Sequence, residues 1–278
     1  MPPLTITAAL ALRDGASIPQ FGLGVYLAKG SACVESIHNA IAAGYRHVDT
    51  AQWYENEAEV GQAINSASIP RKDIFVTSKV WDTNHGYEPA TRSIDESLRK
   101  AKLDYFDLFL LHSPNPGKEK RLEAYRALIA AKKAGKVKSI GVSNYGPHHI
   151  DELVQHYPDD LPVLNQIELS PFFQRGEIVK KCKEHNIAVE SYSPLGKGQF
   201  VDLPEIRDVA NKYKKSAAQV LIRWVLQMGY IVIPKSSNPA RIKENADIFD
   251  FELSKEDMET LGKLETGSGI TWDPTKSA

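Results

Sequence analysis

Short runs of strand-forming residues alternate with longer segments of helical apolar spacing along most of this chain, from Phe21 to about Phe249. Apolar residues three or four positions apart predict amphipathic helices, whereas compact runs of β-branched and aromatic residues predict buried strands. Gly44 and Gly135 follow two helical segments, where a left-handed cap can end a helix. The eight strand-like runs begin at Phe21, Tyr45, Ile74, Tyr105, Val137, Pro162, Ala188 and Tyr230.

Strands that alternate with helices indicate a parallel sheet, and a count of eight favours a closed barrel over an open doubly wound sheet. Residues 1–20 read as a β-hairpin turned at Asp14 and Gly15, which could plug the floor of the barrel. Residues 266–278 form a short tail. Because no linker-like composition divides the 278 residues, we predict an α/β fold in which residues 1–278 form a single (β/α)8 TIM barrel domain.

The composition narrows the range of partners. With 42% hydrophobic residues, 25% charged residues and a formal net charge of −1, the chain gives no electrostatic reason to expect nucleic acid or an anionic membrane. No signal-peptide pattern and no apolar run of about 18 residues is present, so we expect a cytoplasmic protein. Cys33 and Cys182 are expected to be reduced packing residues. His148 and His149 lack metal-ligand neighbours, so we expect them to be solvated and expect no metal site.

Polar residues mark the ends of the second, third and fourth predicted strands, which end near Asp49, Lys79 and His112, with Tyr54 shortly after the second. Strand ends converge on one face of a barrel, where active sites lie. A phenol has a pKa of about 10, which a nearby ammonium held by a carboxylate would lower, and a neutral histidine can donate an N–H. We interpret the four residues as a proton-donating group. A structural ion pair between Lys79 and Asp49, with a satisfied near-core His112, is the alternative.

The later strands end in groups that suit an amide-bearing ring. Ser143, Asn144 and Gln166 offer hydroxyl and amide groups, and the ring of Tyr192 offers a stacking surface. These residue types predict binding of a ligand that carries a carboxamide.

A possible phosphate site follows the eighth strand. Asn238 before Pro239 has the form of a helix N-cap, which places Arg241 in the first helical turn. A cation there opposes the helix dipole unless an anion binds. With Lys235 and Ser236, this arrangement predicts a phosphate clamp, and a solvated surface cluster is the alternative.

An activated tyrosine, a carboxamide cradle and a phosphate clamp together indicate hydride transfer from a nicotinamide. The chain resembles the aldo-keto reductase family over nearly its whole length. The matching segments are GYRHVDTAQWYENE from Gly44, SKVW from Ser78, LLHSP from Leu110, KVKSIGVSNY from Lys136, LNQIE from Leu164, SYSPLGKG from Ser191 and IPKSSNPARIKEN from Ile233.

The resemblance is to compact fungal and bacterial reductases, and it implies NADPH-dependent reduction of aldehyde and ketone carbonyls by a monomer or small homo-oligomer. It implies a catalytic tetrad of Asp49, Tyr54, Lys79 and His112. The implied cofactor contacts are Ser143, Asn144 and Gln166 at the carboxamide, Tyr192 at the nicotinamide ring, Ser193 and Leu195 at the pyrophosphate, Lys235, Ser236, Asn238 and Arg241 at the 2′-phosphate, and Glu244 and Asn245 at the adenine.

Departures from the family pattern concern the substrate. Better-studied members often have tryptophan where Tyr26 stands and an aromatic residue where Ser113 follows the histidine. The predicted substrate wall consists of Tyr26, Trp81 and His112, with Trp53, Asn115 and Trp272 as further candidates. Two other functions stay open, an NADPH-binding sensor subunit with little turnover and a lyase that uses Lys79 as a Schiff base. The physiological substrate, the direction and the stereoselectivity stay open as well.

Overall fold

The computed structural model describes residues 4–278, which begin with a hairpin and continue into a closed barrel. The hairpin consists of β1 (Ala9–Ala11) and β2 (Ser17–Pro19), which pair antiparallel. The barrel strands are β3 (Leu23–Gly24), β4 (His47–Asp49), β5 (Phe75–Val80), β6 (Phe106–Leu111), β7 (Val137–Ser143), β8 (Leu164–Glu168), β9 (Ala188–Tyr192) and β10 (Ile231–Val232).

The barrel strands are parallel and pair in chain order from β3 to β10. The first and last strands then meet, because parallel bridges join Phe21 to Val232 and Gly24 to Lys235. All eight predicted strands and the predicted (β/α)8 fold are confirmed.

Helices cover the outside of the barrel. One helix follows each of β3 to β8, and two follow each of β9 and β10. Their bounds are α1 (Gly30–Ala42), α2 (Glu57–Asn65), α3 (Tyr87–Ala101), α4 (Lys118–Lys133), α5 (Pro147–His156), α6 (Gly176–Glu184), α7 (Pro204–Tyr213), α8 (Ala217–Gln227), α9 (Pro239–Ala246) and α10 (Lys255–Gly262). Gly44 and Gly135 have positive φ angles of 100° and 74° after α1 and α4, as the sequence predicts. Within residues 4–278, none of these helices has the length and apolar character to cross a bilayer.

The hairpin closes the end of the barrel where the strands begin. Ile18 of β2 is fully buried against Phe75, the first residue of β5, and Ile231, the first residue of β10. In the hairpin turn, Asp14 accepts a hydrogen bond from the Ser139 hydroxyl at 2.9 Å. The predicted floor is therefore confirmed, and the open end of the barrel is the one where the strands finish.

Two side-chain predictions had different outcomes. Cys33 and Cys182 are buried free thiols, as predicted. His148 is exposed, but the prediction that His149 is also solvated is wrong. His149 Nδ1 accepts from the backbone N–H of Gly146 at 2.9 Å and so caps α5.

Candidate active site

The finishing ends of the barrel strands surround a cavity of about 440 Å³. Lys79 lies behind its wall and is fully buried. The predicted residues that line the cavity are Tyr26, Asp49, Trp53, Tyr54, Trp81, His112, Ser143, Asn144, Gln166, Tyr192, Ser193, Lys235 and Trp272. The remaining predicted cofactor residues belong to the segments that follow β9 and β10 and lie outside the cavity lining; they are Leu195, Ser236, Asn238, Arg241, Glu244 and Asn245.

Three of the predicted catalytic residues form a connected group at the base of this cavity. Asp49 ends β4, Lys79 lies in β5, and Tyr54 ends a short 3-10 turn over Gln52–Tyr54. Lys79 Nζ donates to Asp49 Oδ1 at 2.6 Å and to the Thr50 carbonyl at 2.8 Å, and lies 3.5 Å from the Tyr54 hydroxyl. The strand ends thus bring together residues that are 25 to 30 positions apart in sequence.

The electrostatic environment of Tyr54 differs from the sequence prediction. Burial raises the pKa of the Tyr54 hydroxyl well above its usual range, and the Asp49 carboxylate adds to the rise. The predicted lowering of this pKa is therefore wrong as a net effect, because burial outweighs the nearby ammonium. Lys79 makes its two shortest contacts with Asp49 and the Thr50 carbonyl, which offset part of its charge. The phenol keeps its proton at neutral pH.

His112 follows β6 and faces the Tyr54 ring edge-on, with 5.7 Å between the ring centroids. Burial lowers the pKa of His112 well below its usual range, and Lys79 and His85 add repulsion. The imidazole is therefore neutral at physiological pH, as a histidine must be if it is to donate one N–H and retain one lone pair.

A buried polar network below the cavity extends this group to two residues that were not predicted, Glu190 and His47. Gln166 Nε2 donates at 2.8 Å to Asp49 Oδ2 and at 2.8 Å to Glu190 Oε2. Glu190 in β9 also lies 3.6 Å from Nε2 of His47. Burial raises the pKa of Glu190 to about 8, with the Asp49 carboxylate as the second cause. Glu190 and His47 could not be recognised from the sequence, because they occupy ordinary positions within strands.

The same contacts fix the orientation of the Gln166 amide. Both hydrogens of Nε2 are engaged by the carboxyl groups of Asp49 and Glu190, so Oε1 is left as a hydrogen-bond acceptor at the cavity wall. Next to it, Asn144 has a left-handed φ of 62° and accepts at Oδ1 from the Tyr192 hydroxyl at 2.8 Å. The Ser143 hydroxyl donates to the Gln166 carbonyl at 2.9 Å. An oriented acceptor beside an aromatic ring fits the N–H of a ring carboxamide, as in nicotinamide.

The segment after β10 has the predicted helix start. Asn238 Oδ1 accepts from the backbone N–H groups of Ala240 and Arg241 at 2.9 and 3.2 Å, and Pro239 is the first residue of α9. Arg241 and Lys235 are both exposed. These two cations flank a helix N-terminus, an arrangement that suits a phosphate. Asn245 on the same helix is buried, whereas Glu244 is exposed.

Four aromatic rings form a continuous wall at the cavity mouth. Tyr26 stacks on Trp53 with centroids 5.5 Å apart, Trp53 stacks on Trp81 at 5.0 Å, and Trp272 tilts against Trp81 at 6.2 Å. Of these, Tyr26, Trp53 and Trp272 are at least 36% exposed. Asn115, a weaker substrate candidate, does not line the cavity.

The tail also contributes Thr271 to the cavity lining, together with Trp272. Trp272 was a predicted substrate contact, whereas Thr271 was not predicted. An irregular segment has no periodicity from which its position could be inferred.

The chain is similar to known proteins in both sequence and structure. The model of the Aldo/keto reductase family matches residues 28–266. The chain is 42% identical over 273 residues to the glyoxal reductase of Bacillus subtilis, covering 98% of both chains. Among solved structures, it is similar to an aldo/keto reductase of Brucella melitensis, with 46% identity, a TM-score of 0.90, and 93% of this chain and 100% of the other covered. It is also similar to the Bombyx mori aldo-keto reductase solved with NADP, with 36% identity, a TM-score of 0.90 and 96% of both chains covered.

Proposed function

Since the chain belongs to the aldo/keto reductase family of oxidoreductases, we propose that it reduces the carbonyl groups of small aldehydes and ketones with NADPH, and that Tyr54 is the general acid. The observation that carries the proposal is the buried contact of Lys79 with both Asp49 and the Tyr54 hydroxyl, beside a neutral His112, at the base of an aromatic cavity. A proton donor with a nearby fixed cation is what a carbonyl oxygen needs as it becomes an alkoxide.

Tyr54 holds the proton that the product requires. Its raised pKa keeps the phenol protonated through neutral pH, so the proton is available when negative charge develops on a carbonyl oxygen. Lys79 is held 3.5 Å away by Asp49 and the Thr50 carbonyl, and its charge stabilises the phenolate that remains after transfer. Neutral His112 can donate an N–H to the same oxygen and so orient the carbonyl beside Tyr54.

NADPH supplies the hydride in this chemistry. Gln166 would accept from its carboxamide, and the ring of Tyr192 would lie against the nicotinamide. Ser143 and Asn144 hold Gln166 and Tyr192 in place. Farther along, Lys235 and Arg241 would hold the 2′-phosphate, together with Ser236 and Asn238. The remaining cofactor contacts we propose are Ser193 and Leu195 for the pyrophosphate, and Glu244 and Asn245 for the adenine.

NADPH oxidation with a panel of carbonyl compounds tests the proposed function. The panel contains aldehydes, ketones, α-keto esters, dicarbonyls such as glyoxal, and aldoses. We expect turnover with at least one class, and the aromatic mouth favours planar apolar carbonyls over aldoses. Tight NADPH binding with no turnover for any class would instead identify a cofactor-binding sensor.

A Schiff-base lyase is the weaker alternative. Lys79 Nζ is fully buried and hydrogen-bonded on two sides, so it is poorly placed to attack a carbonyl in the cavity. Covalent trapping of substrate on Lys79 by borohydride would favour the lyase, and we expect no such adduct.

A further inference from the structure

Glu168, which ends β8, has a buried carboxylate that is satisfied by the tail of the protein. Its Oε1 accepts from the backbone N–H of Ile270 at 2.7 Å, and its Oε2 accepts from the N–H of Thr271 at 3.1 Å and from the Thr271 hydroxyl. Only 3% of Glu168 is exposed. The guanidinium of Arg175 contacts the backbone carbonyl of Glu168 but pairs with the carboxylate of Asp273.

These three hydrogen bonds matter because a buried carboxylate is costly unless donors satisfy it. All three donors come from two consecutive residues that are about 100 positions away in sequence. Moving this part of the tail would therefore deprive the Glu168 carboxylate of its three donors. The carboxylate of Glu168 therefore fixes the position of Ile270 and Thr271.

The residues held in this way lie directly over the candidate active site. The Thr271 hydroxyl is 3.3 Å from the hydroxyl of Tyr192, the residue proposed to stack on nicotinamide. Trp272, the next residue, extends the aromatic wall through its contact with Trp81. One carboxylate thus fixes two residues of the cavity lining, one towards the cofactor and one towards the substrate.

The close approach of the tail depends on Gly269. A Cβ atom at this position would lie 2.6 Å from Oε2 of Glu168 and 2.8 Å from the ring of Phe173. Neither distance is compatible with a normal contact, so a side chain at position 269 would displace either the tail or Glu168.

The tail is attached independently on both sides of this contact. The backbone N–H of Thr266 donates to the Phe172 carbonyl at 2.8 Å, and the Ser277 carbonyl contacts His149 Nε2 at 2.9 Å. Loss of the Glu168 contact would therefore shift residues 269–272 without detaching the tail.

We propose that Glu168 is a specificity-determining positioning residue, whose carboxylate holds Thr271 and Trp272 over the cavity and so sets the substrate-binding mouth. This inference rests on the proposed carbonyl reductase function. Glu168 acts through the tail and does not touch the reacting atoms.

Kinetics of Glu168→Ala, Trp272→Ala and the double variant test the proposal, with NADPH and 4-nitrobenzaldehyde as the probe substrates. We expect Glu168→Ala to raise KM for the aldehyde by about tenfold while kcat and the NADPH Kd stay within about threefold, since pocket contacts discriminate mainly through substrate binding. In the Trp272→Ala background, Glu168→Ala should change KM by less than about twofold, because the two substitutions remove the same interaction.

Hydrogen exchange provides a readout that needs no turnover. The amides of Ile270 and Thr271 should be protected in the wild-type protein and exchange at least about tenfold faster in Glu168→Ala. Glu168→Gln is the milder variant if Glu168→Ala does not fold, and it should produce the same change to a smaller degree. If the wild-type protein turns over no carbonyl, the proposed function fails, and the exchange rates still decide whether Glu168 holds the tail.

Asp257→Ala is the matched control. Asp257 is also a buried carboxylate with several donors, among them Lys212 at 2.7 Å and the Ser254 hydroxyl at 2.7 Å, but it belongs to α10 and lies outside the cavity lining. The control should lower Tm without changing KM. Additive KM effects of Glu168→Ala and Trp272→Ala, or unchanged exchange at Ile270 and Thr271, would overturn the positioning role.

Discussion

The ammonium of Lys79 lies 3.5 Å from the hydroxyl of Tyr54, so the proposed proton transfer would form a phenolate next to a cation. Before transfer, the buried phenol keeps its proton, and Asp49 at 2.6 Å from Nζ offsets the charge of Lys79. After transfer, the phenolate has a cation within reach. This arrangement suits a tyrosine that keeps its proton until negative charge develops on the carbonyl oxygen of a substrate.

Removal of the Tyr54 hydroxyl should abolish most of the activity. Tyr54→Phe keeps the ring, so NADPH should bind as in the wild type while kcat for carbonyl reduction falls by a factor of about 10² to 10⁴, the usual contribution of general acid catalysis. Steady-state NADPH oxidation and cofactor titration by tryptophan fluorescence measure the two effects. A variant with the wild-type kcat would show that Tyr54 is not the acid.

Lys79→Met should damage both activity and stability. It leaves the buried carboxylate of Asp49 without its partner, and breaking a buried ion pair in this way costs about 3–5 kcal/mol in the free energy of unfolding. The double variant Asp49→Asn/Lys79→Met should recover part of this free energy in urea unfolding but no activity. Recovery of activity in the double variant would show that the ion pair of Lys79 and Asp49 has only a structural role.

Glu190→Gln should change how stability depends on pH. The folded-state pKa of about 8 lies above the usual 4.5, so between these values the native state binds a proton that the unfolded state has released. The wild-type protein should therefore lose stability as pH rises through this window, and the variant should lack this loss.

Urea unfolding at pH 5 and pH 8 measures this effect. The free energy of unfolding of Glu190→Gln, relative to wild type, should be higher at pH 8 than at pH 5 by roughly 2–4 kcal/mol. An equal difference at both pH values would mean that Glu190 is ionised throughout the range.

Arg241→Ala should weaken NADPH binding selectively. Arg241 lies in the first turn of α9. Loss of a charge-assisted contact with the 2′-phosphate should lower the affinity for NADPH by roughly ten- to a hundredfold. NADH, which lacks that phosphate, should bind Arg241→Ala and wild type almost equally. Lys243→Ala, which removes an exposed cation from the last turn of the same helix, is the control and should affect neither cofactor. Equal losses for both cofactors would exclude the phosphate clamp.

Trp81→Ala should alter the substrate profile. Trp81 stacks on Trp53 and lies tilted against Trp272 in the aromatic wall, and apolar pocket contacts discriminate between substrates by about 1–3 kcal/mol. The ratios of kcat/KM among carbonyl substrates should change, while NADPH affinity stays within about threefold. An unchanged profile would assign Trp81 to the structural core.

The fold could be predicted because its signal is local. The eight strands and their helices can be inferred from the spacing of apolar residues and from the glycines that end helices. The N-cap of α9 can be inferred from Asn238 and the proline that follows it. The positions of Asp49, Lys79 and His112 near strand ends were also readable, since a barrel brings such ends together.

What the sequence did not reveal depends on tertiary contacts. The Tyr54 pKa is decided by burial and by the charge balance around Lys79, neither of which appears in a linear pattern. Glu168 and Glu190 resemble any polar residue in a strand until their partners are known. The contact of His149 Nε2 with the Ser277 carbonyl in the distant tail likewise cannot be inferred from the sequence.

The bridges that join Phe21 to Val232 and Gly24 to Lys235 have a consequence for how the chain reaches its native state. They pair the first barrel strand with the last, so the barrel closes only when nearly the whole chain is available. Until then β3 and β10 both present unpaired backbone groups, which are templates for association with other chains. We therefore expect fragments that end before β10 to aggregate, and folding after synthesis to be limited by a late closure step.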